Sequence, residues 1–103
     1  MMTINIGLNN NPFKYEELSE AIGYSFGGRC QFRLGQWGET PEPTLVALLP
    51  RPLTIDELTL LLCLTKQECI AVWEDGEGYL DWHPNFPETC QFDERFFIHH
   101  TAE

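Results

Sequence analysis

The amino-acid sequence predicts an α+β fold: a ferredoxin-like βαββαβ sandwich with an additional C-terminal hairpin strand, in a single domain over residues 1–103. Three observations carry this prediction. Residues 3–8 and 30–34 alternate apolar and polar side chains, the period-two pattern of strands with one buried face. Residues 54–57, Thr-Ile-Asp-Glu, form a capping box directly ahead of a leucine-rich run. The signals follow the order β-α-β-β-α-β-β, in which two split βαβ halves share one antiparallel sheet with both helices on one face.

In the first strand, Ile4, Ile6 and Leu8 occupy the buried face. Asn9-Asn10-Asn11-Pro12 breaks it, and Asn11 and Pro12 suit the cap and first position of a helix. That helix is expected to run to about Ile22, with Tyr15, Leu18 and Ile22 on its apolar face and Gly23 at its end. Gly27-Gly28 opens the second strand, where Cys30, Phe32 and Leu34 face inward and Arg29, Gln31 and Arg33 face water. Residues 35–43, with two glycines and two prolines, read as a connecting loop. Residues 44–49 are continuously apolar, as an interior strand is.

The second helix starts at the Thr54/Glu57 capping box, with Leu53 and Leu58 as its hydrophobic staple, and runs to about Lys66. Leu60 and Leu64 lie off its main apolar face, so a second covering surface is expected over them. Residues 69–73 and 79–82 form a hairpin around Glu74-Asp75-Gly76-Glu77-Gly78. From about residue 84 the pattern weakens into an irregular tail, but Phe86, Phe92, Phe96, Phe97 and Ile98 predict that the tail is packed. The expected core unites Ile6, Leu18, Ile22, Phe32, Val46, Leu58, Leu62 and Ile70.

Hydrophobic residues make up 43% of the chain, enough for a core. Sixteen acidic residues oppose six basic ones, for a formal net charge of −10. Direct binding to nucleic acid or to an anionic membrane is thereby disfavoured, since both need clustered Lys and Arg. A protein with a basic surface would be attracted. No stretch approaches the length of a membrane span, and the N-terminus lacks the positive region of a signal peptide, so a cytoplasmic location is expected. Cys30, Cys63, Cys69 and Cys90 contain no CxxC pair, which favours free thiols over a disulfide framework.

Catalytic and metal templates find no match. His83 and Cys90 could meet, but His99 and His100 point apart in an extended segment, so no zinc site is expected. Neither Ser19 nor Ser25 lies in a GxSxG elbow, and no phosphate-binding glycine loop is present. Glu74, Asp75, Glu77 and Asp81 lack the ligand spacing of a calcium loop. Glu16-Glu17 and Asp56-Glu57 lie in first helical turns, where the helix dipole favours negative charge. No cofactor is expected. Trp37, in a glycine-rich stretch with little to pack on, is a candidate contact anchor.

At residues 3–9, 42–46, 51–54 and 67–73, and again at Phe92-Asp93 and Phe96-Phe97, the chain resembles a group of small proteins encoded in bacteriophages, prophages and mobile elements of proteobacteria. The resemblance implies a bacterial mobile-element setting and no particular chemistry. The expected function is therefore a non-enzymatic one. A small acidic phage-type protein would bind and inhibit a host nucleic-acid-handling or defence protein in the bacterial cytosol, with mimicry of nucleic-acid charge as the means. Its partner-binding residues would be Glu74, Asp75, Glu77, Asp81, Glu16, Glu17, Glu20 and Trp37. The alternative is a generic protein-interaction or assembly module that forms a homodimer through an open sheet edge or through the sheet's uncovered face.

Overall fold

The computed structural model describes residues 1–99. Strands β1 (Met2–Gly7), β2 (Arg29–Trp37), β3 (Thr40–Leu49), β4 (Cys69–Glu74) and β5 (Glu77–Trp82) accompany helices α1 (Tyr15–Phe26) and α2 (Ile55–Thr65). A 3₁₀ turn follows at Glu94–Phe96. The five strands form one antiparallel sheet in the order β2-β3-β1-β4-β5, so the class is α+β and the last hairpin adds an edge strand. Strand β3 separates β1 from β2, and β1 separates β3 from β4, so each helix carries the chain across one intervening strand.

Side-chain alternation divides the sheet into two faces. Met2, Ile4 and Ile6 of β1 stand opposite Leu49, Ala47 and Leu45 of β3, and Ile4 stands opposite Val72 of β4. These residues join Leu18 and Ile22 of α1 and Leu58, Leu61 and Leu62 of α2 in one core. Helix α1 lies over β2 and β3, and α2 over β4 and β5. The capping box forms in α2: the Glu57 amide donates to Thr54 Oγ1 at 3.1 Å, and the Thr54 amide donates to Glu57 Oε1 at 2.9 Å. Both staple residues, Leu53 and Leu58, are buried.

Several expectations need correction. Asn11 does not cap α1; it makes a local turn, accepting from the Phe13 amide at 2.9 Å, and Lys14 is the N-cap. Glu17 reaches back to the Lys14 amide at 3.1 Å. The helix continues through Gly23 and ends at Gly27, whose φ of 70° is the left-handed conformation that favours glycine. Residues 35–43 are mostly strand, because β2 and β3 close in a hairpin around Gly38 and Glu39, with Gly38 at φ 60°. Phe32 and Leu34 remain 52% and 71% exposed, since β2 is an edge strand. Phe32 makes an edge-on contact with Tyr15, centroids 5.6 Å apart. Leu60 and Leu64 are also exposed, with no element laid over them among the described residues.

Val46 is fully buried, but on the opposite face from the helices, across from Asn5 and Gln31. That second face carries Thr3, Asn5 and Gly7 on β1, and the C-terminal tail crosses it as a strap. The Asn5 side chain donates to the Ile98 carbonyl at 2.9 Å and accepts from the Ile98 amide at 2.8 Å. Trp73 stacks on Phe97 at 5.4 Å and also meets Phe92 and His99. Of the tail aromatics, Phe97 is buried and Phe92 partly so, whereas Phe86 and Phe96 stay exposed. His100 lies outside the described residues.

Candidate functional site

The acidic residues divide between separate places. Glu74 and Glu77 pair across the tip of the β4–β5 hairpin, with Asp75 and Gly76 between them. Both turn residues have positive φ, 52° at Asp75 and 82° at Gly76, the geometry of a tight two-residue hairpin turn. The turn thus gathers the three carboxylates at one hairpin tip. Asp81 lies further along β5, opposite Ile70 on the helix-facing side. Its Oδ2 is buried without a hydrogen-bond partner, and burial raises its pKa above the ordinary carboxylate range.

Glu16, Glu17 and Glu20 are exposed on α1, which rests on β2 and β3 at the other side of the sheet. Glu74 sits beside Met2, at the start of β1, while α1 begins after the end of β1. The hairpin acids and the helix acids therefore do not form one continuous surface. Trp37 ends β2, pairs with Thr40, and is partly exposed at the rim of a cleft.

That cleft, of about 590 Å³, lies between the second sheet face and the strap. Its floor includes Asn5 and Gly7, and its walls include Glu42, Gln67 and Cys69, with strap residues such as Phe92 opposite. Glu42 accepts a hydrogen bond from the Asn9 backbone, yet burial is the larger influence and raises its pKa. Gly7 makes room for it: a Cβ there would stand 2.5 Å from a Glu42 carboxylate oxygen. Gln67 is held by its side-chain amide, which donates to the Asn9 and Thr65 carbonyls, both at 3.1 Å. Sequence reasoning missed this cleft entirely. Glu42 sits between Pro41 and Pro43 and reads as loop, and the strap that roofs the cleft has no periodicity to reveal its path.

The four cysteines are free thiols. Cys69 and Cys90 both line the cleft, and burial together with the neighbouring Cys90 and Glu68 pushes the Cys69 thiol up to about 12. His83 meets Cys63 rather than Cys90, with Nε2 and Sγ 3.5 Å apart. The Asn85 amide donates to His83 Nδ1 at 3.0 Å, which leaves the ring proton of a neutral His83 on Nε2, directed at sulfur. Such a ring cannot take the thiol proton while it keeps the Asn85 bond. Among the described residues no three His, Cys, Asp or Glu side chains converge on a metal-sized site, and no helix is long and apolar enough to cross a membrane.

Comparison with protein-family models, with curated proteins and with solved structures found no match.

Proposed function

We propose that this chain is a non-catalytic acidic binding domain, a phage-type inhibitor that offers carboxylates to the basic groove of a host nucleic-acid-handling or defence protein in the bacterial cytosol. The observation that carries the reading is the β4–β5 turn. Glu74, Asp75 and Glu77 stand together at the tip of a tight hairpin, and among the described residues no cation pairs with them. A group of carboxylates on a protein of net charge −10 speeds encounter with a basic surface and competes there with phosphates. Glu16, Glu17 and Glu20 would serve a second contact, or none, because they lie on the opposite side of the sheet. The order β5-β4-β1-β3-β2 supports reading the scaffold as a ferredoxin-like pair of split βαβ units extended by β5.

The test is a pull-down from lysate of the bacterial host at low and high salt, with the native chain and with Glu74→Gln, Asp75→Asn and Glu77→Gln combined. Asn is well tolerated at positive φ, so the turn should hold. A nucleic-acid-handling protein retained only at low salt, and lost with the triple variant, supports the reading. Retention that ignores both salt and the triple variant sinks it.

A second reading has its own observation. Strand β2 is a nine-residue edge with Phe32 and Leu34 exposed, a surface on which a second copy could add a strand. Light scattering on the purified chain decides it: a dimer dispersed by Phe32→Lys supports assembly through this edge, and a monomer at all concentrations removes it.

A further inference from the structure

We propose that the cleft beneath the C-terminal strap is a binding site for a small organic cation, an ammonium group on an apolar body, with Glu42 as its counter-ion. This does not rest on the acidic-turn reading; the cleft lies at the opposite end of the sheet from Glu74.

The shape is the first argument. Ligand sites are concave spaces of roughly 300–1,000 Å³ with mainly apolar walls and a few placed polar groups. The cleft, at about 590 Å³, fits that range, and Trp37, Phe86, Phe92 and Phe96 supply aromatic wall around it. Aromatic faces attract cations as well as apolar groups.

The second argument is the state of Glu42. Several polar groups in the cleft are already engaged: Asn5 with Ile98, Gln67 with two carbonyls, Thr44 with the Glu42 carbonyl, and Asp93 with Arg95. Among the described residues the Glu42 carboxylate accepts from the Asn9 amide alone, although burial disfavours its charge. No cation pairs with it among the described residues. A half-buried carboxylate with spare acceptor capacity is a group that an incoming ammonium would satisfy. Lys66 also lines the cleft, but it is an exposed residue and is not among the influences on Glu42.

The third argument is how the backbone makes room. Gly7 leaves the space over the end of β1 open to the carboxylate. Replacing Gly7 with Ala would displace the carboxylate without changing any charge.

The experiment titrates the full chain with 2-phenylethylammonium, and in parallel with 2-phenylethanol as its neutral counterpart, followed by amide NMR shifts. The expected result is saturable binding of the amine at millimolar concentration, with shifts at Gly7, Glu42 and Phe92. The alcohol should bind roughly tenfold more weakly or worse, as loss of a charge-assisted hydrogen bond implies. Glu42→Gln and Gly7→Ala should each erase that preference. Equal binding of amine and alcohol by the native chain, no saturable binding of the amine, or shifts confined elsewhere would each overturn the proposal. The amine–alcohol comparison uses only native protein, so it decides the matter even where a variant fails to fold.

Discussion

Asn5 and Ile98 exchange two hydrogen bonds, at 2.9 and 2.8 Å, across 93 positions of sequence. Asn5 is a buried polar side chain on the central strand, and it is satisfied only because the tail lies over it. Replacing Asn5 by Leu removes both bonds and leaves the Ile98 amide and carbonyl without those partners. A loss of about 1–3 kcal/mol is expected. It should appear as a lower urea midpoint together with faster proteolytic cutting near Phe92. An unchanged midpoint with unchanged proteolysis would show that the strap is held elsewhere.

Gly78 provides a separate test of the same docking. A Cβ there would overlap the Phe92 ring and crowd Trp73. Gly78→Ala should therefore lift Phe92 off the sheet and alter Trp73 fluorescence, while the helix-side core stays folded. Far-ultraviolet circular dichroism that matches the native chain, with a shifted emission maximum, is the expected pair of results. Native emission would place Phe92 somewhere other than over Gly78.

Two phenylalanine- and leucine-sized positions that look equivalent in sequence should behave very differently. Leu58 is 2% exposed on the buried face of α2, and Leu58→Ala should cost about 2–5 kcal/mol. Phe32 is 52% exposed on the edge strand, and Phe32→Ala should cost less than about 1 kcal/mol. Urea unfolding of both variants checks the contrast, and equal losses would contradict the assignment of β2 to the sheet edge.

Asp81 predicts a pH-dependent gain. Burial raises its pKa in the folded chain, so the folded state holds the proton more tightly than the unfolded state does. Its favourable contribution is present below the unfolded value, near about 3.9, and is lost as pH rises through the raised folded value. At neutral pH the ionised carboxylate therefore costs stability. Asp81→Asn should recover a few tenths of a kcal/mol at about pH 7, after solvent screening, and nothing below about pH 3.5. Equal effects at both pH values would remove the electrostatic explanation.

The thiols should separate by reactivity. Cys63 and Cys90 are exposed and Cys30 and Cys69 partly buried, and burial raises the pKa values of Cys30, Cys69 and Cys90, that of Cys69 to about 12. Since the thiolate is the nucleophile, iodoacetamide at mildly alkaline pH should label the exposed Cys63 first and Cys69 last. Mass spectrometry of timed samples reads the order. Early labelling of Cys69 would mean that the strap opens on the timescale of alkylation.

The sequence by itself determined the parts governed by near neighbours. The Thr54/Glu57 box starts α2 because both of its bonds close within four residues. The Asp75-Gly76 turn forms because those residues tolerate positive φ, and Ile4 and Ile6 face one way because a strand alternates. Tertiary structure decided the rest. Phe32 carries the same inward pattern as Ile6, yet it is exposed, because strand order is set by chain crossings and not by the strand's own residues. Asn11 suited a helix cap by its own chemistry, yet it closes a local turn with Phe13, and α1 starts later, behind Lys14. Above all, an aperiodic tail gives no register. Its path over Asn5, Trp73 and Gly78, and with it the Glu42 cleft, arises from contacts between segments remote in sequence, which no local pattern records.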